Sequence, residues 1–134
     1  MSASTTTIQP TEDLDKHLEH YVQAFNSNDP DLLEQFYTEE AIAVWEPHTP
    51  LQGEARREAA REFLSRKPTM TAVERERYVT NDTILFIVDW QIDMTGADGE
   101  PEHLEGVGVD VVRKGADGKW RYAVDDAYGG NAPA

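Results

Sequence analysis

Apolar residues recur in three- and four-residue steps through the first half of the chain and then switch to strict alternation. Leu14, Leu18, Tyr21, Val22 and Phe25 form one stripe and predict an amphipathic helix over 11–27. Thr11 is placed to cap it, with Glu12 and Asp13 in the first turn, where the helix dipole favours acids. Asn26-Ser27-Asn28 breaks the pattern. Asp29-Pro30 opens a second, short helix as cap and first helical residue, and Leu32, Leu33, Phe36 and Tyr37 supply its buried side. Residues 41–46 read as a short strand closed by Pro47, and His48-Thr49-Pro50 as a loop. Gly53 precedes a third helix over 54–65, with Ala59, Ala60, Phe63 and Leu64 inward and Pro68 beyond its end.

The period then changes to two. Residues 70–79 predict a strand whose charged Glu74, Arg75, Glu76 and Arg77 suit an edge. Residues 83–94 are the most apolar strand: Ile84, Phe86, Val88, Trp90, Ile92 and Met94 share one face. Gly96-Ala97-Asp98-Gly99 and Gly115-Ala116-Asp117-Gly118 are hairpin turns. The last strand runs over 119–127. Between the two turns lies Glu105-Gly106-Val107-Gly108-Val109-Asp110-Val111-Val112. Val107, Val109 and Val111 form one face. The other carries Gly106, Gly108, Asp110 and Val112, a face with little bulk and a lone carboxylate. Glycines in a strand leave room for a ligand or another backbone, and a carboxylate on an inward face holds its proton unless it is paired. If that face looks into a cavity, Asp110 is the leading functional group. If the valine face is the core, Asp110 is wet, and alternation alone leaves both open. Helices first and a meander after predict an α+β fold with helices on one face of a curved sheet.

With 134 residues and no internal repeat, the chain predicts one domain over 11–128, between a disordered tail at 1–10 and a flexible tail at 129–134. Residues 1–10 are polar and lack the apolar centre of a secretory signal. No apolar run is long enough to span a bilayer, and a cytoplasmic location is expected. There are no cysteines, so disulfides, thiolate metal sites and cysteine nucleophiles are excluded. A net charge of -14 repels phosphate backbones, which argues against nucleic acid and anionic membranes as partners.

The helix segment Tyr21-Val22-Gln23-Ala24-Phe25-Asn26, the passage from Phe36-Tyr37-Thr38-Glu39-Glu40-Ala41 to Gly53, and Asp110-Val111-Val112-Arg113 before a Gly-Asp-Gly turn and Trp120-Arg121 resemble the nuclear transport factor 2-like superfamily. The closing pattern is similar to its SnoaL-like and ketosteroid-isomerase-like branch. The resemblance covers about residues 12–128. It implies a cone-shaped, mostly antiparallel sheet closed by three N-terminal helices around an apolar pocket, and a homodimer through the open sheet face. The superfamily holds isomerases, polyketide cyclases, epoxide hydrolases, dehydratases and non-catalytic binding modules, so it implies fold more strongly than activity.

In ketosteroid isomerase an Asp base works with an oxyanion hole made by a Tyr and a protonated Asp. By resemblance Tyr21 takes the place of that tyrosine and Asp110 that of the protonated aspartate. Glu46, followed by Pro47, matches the base if the alignment shifts by one residue; without the shift Trp45 stands there and no base exists. His48, at the expected pocket mouth, and His103, on a strand, are alternative bases. Trp45, His48, Phe63, Trp90 and Gly108 are expected to bind substrate. His17 and His20, three apart on a helix, lack a third ligand and read as exposed helix residues rather than a metal site. Arg75 or Arg77 with Asp110 would give an epoxide-hydrolase-like pair if they shared a face.

Two function classes follow. One is a cofactor-independent enzyme that moves a proton next to a carbonyl of a hydrophobic, steroid- or polyketide-like substrate, giving isomerisation, cyclisation or dehydration. The other is a non-catalytic domain on the same fold that holds a small hydrophobic ligand or docks a partner. Neither calls for a cofactor or a metal.

Overall fold

The computed structural model describes residues 8–131. Its first helix begins later than the apolar stripe predicts. Asp13 caps a single 3-10 turn, Leu14–Lys16, by accepting the Asp15 N–H at 3.0 Å, and α1 follows over His17–Asn26. Thr11 shapes the turn before, its hydroxyl accepting the Asp13 N–H. The buried stripe of α1 is His17, Tyr21, Ala24 and Phe25, with Leu18 and Val22 half-buried beside it. His17 is therefore a core residue, not the exposed one expected.

In α2, Pro30–Glu34, the carboxylate of Asp29 accepts the N–H groups of Asp31 and Leu32, as a cap before a first-turn proline should. The helix stops short of Phe36 and Tyr37. Tyr37, expected on the helix, begins the strand β1, Tyr37–Val44. Pro50, read as loop, and Leu51 pair with Val44 and Ala43 as β2. Helix α3, Gly53–Leu64, buries Ala60 and Leu64 as predicted, and Arg56 as well.

The remaining strands are β3 (Thr69–Val79), β4 (Thr83–Thr95), β5 (Pro101–Lys114) and β6 (Trp120–Asp126). They form one sheet in the order β2-β1-β6-β5-β4-β3, antiparallel except for the β1–β6 pair. Both hairpin turns place a glycine in the left-handed region, Gly99 at φ 83° and Gly118 at φ 81°, where a side chain would be strained. Register shifts at Glu74/Glu76 and Val111/Val112 bend the sheet. Its concave face carries the alternate residues of β4 from Ile84 to Met94, all buried, and α1 packs over that face beside β3. The fold is thus α+β, with a curved, mostly antiparallel sheet and few helices.

The expected tails are shorter where they can be seen. Pro10 is buried, Ile8 packs on the core, and the Thr11 carbonyl accepts the Trp120 N–H. At the other end the Gly130 N–H donates to the Val107 carbonyl, and the Asn131 side chain accepts the Val107 N–H. Residues 1–7 and 132–134, the rest of those tails, lie outside the described residues. Among the described residues no helix is long and apolar enough to cross a membrane.

Candidate active site

The glycine-bearing face of β5 is the inner one. Gly106 and Gly108 make room for the Trp90 indole: a Cβ on Gly106 would lie 2.8 Å from Trp90 Cζ2. Trp90 is held there by its Nε1–H, which donates to the Ala127 carbonyl at 2.6 Å. Two residues on, Asp110 faces the same side and pairs in register with Asp125 of β6. Both carboxyls are buried, at 7% and 8% exposure.

Burial pushes the Asp110 carboxyl well above the usual carboxylate range, and the neighbouring Asp125, to which it is hydrogen-bonded, pushes it further. Asp110 therefore holds its proton more tightly than a free carboxyl does. Asp125 is bonded on its other side. Its Oδ2 accepts the Tyr37 hydroxyl at 2.6 Å and the Trp45 Nε1–H at 3.0 Å. Because Tyr37 donates to Asp125, its oxygen receives the Tyr21 hydroxyl, 2.9 Å away. Burial, then the charge of Asp125, keeps both tyrosines protonated. Arg56, buried in an ion pair with Glu34 at 2.7 Å, lies over the Tyr37 ring, 5.0 Å from its centroid. The chain therefore runs Tyr21–Tyr37–Asp125–Asp110. At its far end Asp110 Oδ1 is buried and has no hydrogen-bond partner among the described residues.

Tyr21, Asp110 and Asp125 line a cavity of about 90 Å³ with mostly apolar and aromatic walls. A space on the order of 10–15 Å³ admits one water, so this one has room for part of a small molecule. A groove of about 450 Å³ adjoins it and shares the walls Trp45, Phe63, Leu104 and Tyr128.

The SnoaL-like domain model matches residues 18–123. The chain belongs to the SnoaL-like domain family. No curated protein matches its sequence. Among solved structures, this SnoaL-like domain is similar to a protein described as a scytalone dehydratase from Novosphingobium aromaticivorans, at 15% identity over 84% of this chain and 78% of that one, with a TM-score of 0.72. It is also similar to a ketosteroid isomerase-like protein from Erwinia carotovora atroseptica, at 19% identity over 79% and 85%, TM-score 0.69. A calcium/calmodulin-dependent protein kinase II association domain from Xanthomonas campestris has 15% identity over 96% and 99%, TM-score 0.69. At these identities the likeness is one of fold. It spans enzyme-like and assembly proteins, so the chemistry must be read from the site.

Six of the residues singled out from the sequence line the cavity of this SnoaL-like domain: Tyr21, Trp45, Phe63, Trp90, Gly108 and Asp110. Glu46 does not. β1 ends at Val44, Trp45 turns inward, and Glu46 turns out as an exposed wall of the groove. The base role expected for Glu46 does not fit that position. His48 is exposed at φ 62° and lines neither space. His103 lies exposed on the sheet, bridging Asp93 and Glu105. Arg75 pairs with Asp89, and Arg77 with Glu74 and Asp15, so neither completes a pair with Asp110. Among the described residues no group of three or more potential metal ligands converges.

Asp125, Tyr37 and Arg56 escaped the sequence reading. Alternation from Trp120 and Tyr122 points Asp125 outward, but the register shift opposite Val111/Val112 turns it onto their face. Tyr37 was hidden in a helix pattern. Arg56 carried no signal, since an arginine in an acidic helix reads as a wet face.

Proposed function

We propose that this SnoaL-like domain is a cofactor-independent enzyme that moves a proton next to a carbonyl of a small hydrophobic substrate. The Asp110–Asp125 pair serves as its acid–base group. One observation carries the reading: two buried carboxyls paired across β5 and β6, Asp110 and Asp125, both line an aromatic cavity, and Asp110 holds its proton well above the usual carboxylate range. In the step proposed, the substrate C–H proton passes to the Asp110–Asp125 pair, which ends with a proton on each carboxyl. The C–H electron pair moves to the carbonyl, leaving an enolate with the negative charge the pair gave up. Neutralised, Asp125 pulls less on the Tyr37 hydroxyl. The hydroxyl chain can then reverse, and the Tyr21 O–H is released to donate to the enolate oxygen. Return of the proton to another carbon gives isomerisation; loss of a β-hydroxyl gives dehydration. A dry site strengthens both the acid and the donor. The same reading includes a homodimer through the outer sheet face, where Val73 and Tyr78 are exposed.

The test needs no natural substrate. Deuterium uptake from D2O at the α-carbons of 1-tetralone and 2-indanone is followed by proton NMR. Wild type should accelerate uptake, and Asp110→Asn and Asp125→Asn should each lose about 100-fold or more, the usual share of a general acid–base group. If wild type binds the ketones but exchanges them no faster than Asp110→Asn, the fold is serving as a hydrophobic-ligand-binding domain.

A further inference from the structure

Most of the donors that line the cavity are already spent. The Tyr21 hydroxyl is bonded to Tyr37 at 2.9 Å, the Trp45 Nε1–H donates to Asp125, and the Trp90 Nε1–H donates to the Ala127 carbonyl. Tyr128, half-buried, lies where the cavity meets the groove. Tyr122 is the exception. Only 2% of it is exposed, yet its hydroxyl makes no hydrogen bond among the described residues. A buried polar atom without a partner is either sealed in or borders open space. The sealed ones here are both His17 ring nitrogens, Arg56 Nε and Asp110 Oδ1. The Tyr122 hydroxyl is not among them, so it borders open space, and the space that Tyr122 lines is the cavity.

The ring that carries this hydroxyl is fixed. Tyr122 pairs with Val112 of β5, and its N–H donates to the Phe36 carbonyl at 2.8 Å. Tyr21 meets the ring edge-on at 4.7 Å, and His17 and Tyr37 pack on it at 4.9 and 5.5 Å. Val112 and Asp110 share a face of β5, so Tyr122 stands next to the carboxyl pair. Burial, then Asp110, keeps the phenol proton on. A preorganised hydroxyl that holds its proton and has no acceptor lacks what a ligand oxygen would supply. The neighbouring carboxyls and the net charge of -14 disfavour an anionic oxygen there. We infer that the Tyr122 hydroxyl holds the carbonyl oxygen of a neutral, ring-bearing ketone bound in the cavity. Resemblance gave that contact to Tyr21, whose hydroxyl is committed to Tyr37 until the proton has moved. The inference rests on the proposed function in taking a carbonyl compound as the ligand.

1-Tetralone and tetralin, one ring system with and without the carbonyl, decide it. By NMR titration Tyr122→Phe should weaken 1-tetralone about five- to tenfold, the loss of one neutral hydrogen bond, and leave tetralin unchanged. In difference infrared spectra the carbonyl stretch of bound 1-tetralone should lie below its position in hexane, and Tyr122→Phe should move it back up. Without ligand, Tyr122→Phe should melt within about 2 °C of wild type, since its hydroxyl has no protein partner to lose. Tyr37→Phe, which strips a bond from both Tyr21 and Asp125, should melt lower. Four results would each overturn the inference: no binding of 1-tetralone to wild type, an affinity for it that Tyr122→Phe leaves intact, an equal loss of both ligands, or a carbonyl band that the substitution does not move. A fall in melting temperature like that of Tyr37→Phe would do the same, because the hydroxyl would then be bonded within the protein. Deuterium uptake is read separately. A domain that binds 1-tetralone through Tyr122 without exchanging deuterium keeps its donor and loses its proton-transfer role. One that exchanges deuterium with an unmoved carbonyl band keeps the chemistry and loses the donor.

Discussion

Two buried titratable side chains pull the stability of this domain in opposite directions with pH. Asp110 has its pKa raised in the fold, first by burial and then by Asp125. Its contribution is fully present below the unfolded value, about 3.9, and is lost as pH rises through the folded value. His17 is the converse. It is fully buried, stacked on Phe86 at 5.9 Å and 8°, with neither ring nitrogen hydrogen-bonded. Burial, then His20, lowers its pKa to about 3. The unfolded chain takes up that proton first as pH falls, so stability is intact above about 6.5 and is lost toward 3, at up to about 1.4 kcal/mol per pH unit. The groups facing His17 are the rings of Phe36, Phe86 and Tyr122, none of which can hold the charge. Urea unfolding from pH 3.5 to 7.5 should separate the two. Asp110→Asn should gain on wild type as pH rises, reaching about 1 kcal/mol or more, or roughly 3–5 °C in Tm at this size. His17→Phe should gain as pH falls below 6.5. If the two differences from wild type have the same slope, one of these assignments of charge is wrong. The first substitution also carries a cost that fits a functional site: more stability at neutral pH, and no proton to exchange.

Strand β5 shows how an element makes the room its neighbours fill. A Cβ on Gly106 would lie 2.8 Å from the Trp90 ring and 3.1 Å from Tyr128, while one on Gly108 would meet nothing nearer than 3.5 Å, and Gly108 borders the cavity. Gly106→Ala must displace the indole and should destabilise by about 1–3 kcal/mol. Gly108→Ala should fold within about 1 kcal/mol of wild type, yet place a methyl in the cavity and weaken binding of 1-tetralone several-fold. Thermal melts with titrations distinguish the two; equal stability loss would mean that Trp90 is not wedged on Gly106. This element was also the most legible part of the sequence. The alternation of small residues, a lone carboxylate and valines named its special face, though not which face was inside. The burial of β4, with six alternating apolar side chains from Ile84 to Met94, settles that. What stayed illegible were the departures from periodicity: the register shift that turns Asp125 inward, and the early start of β1 at Tyr37. Those two departures supply half of the hydroxyl–carboxyl chain, because a site needs side chains off the regular lattice as much as on it.

Across the whole molecule, the concave face of the sheet is filled by helices, and the convex face is open among the described residues except where Gly129 and Gly130 pass along Val109 and Val107. Val73, Tyr78 and Val79 are 67%, 57% and 51% exposed there or at the adjoining strand end, and Leu85, Ile87, Val107, Val109 and Val111 are half-buried. An apolar sheet surface of this kind is unusual on a monomer, and the proposed homodimer would cover it. Each protomer would bring a charge of -14, so association works against a repulsion that counter-ions screen over about 10 Å at 0.1 M salt. Sedimentation velocity should therefore find more dimer at 300 mM than at 20 mM sodium chloride, the reverse of an interface held by ion pairs. Ile87→Glu, at the centre of the face, should give monomer at both, by setting an unpaired charge into the contact. The fold should survive, since Ile87 points away from the cavity and its core. A protein that is monomeric at both salt concentrations would leave the convex face uncovered, and one whose dimer weakens with salt would place the contact on the charged pairs at its edges, Arg75 with Asp89 and His103 with Asp93 and Glu105.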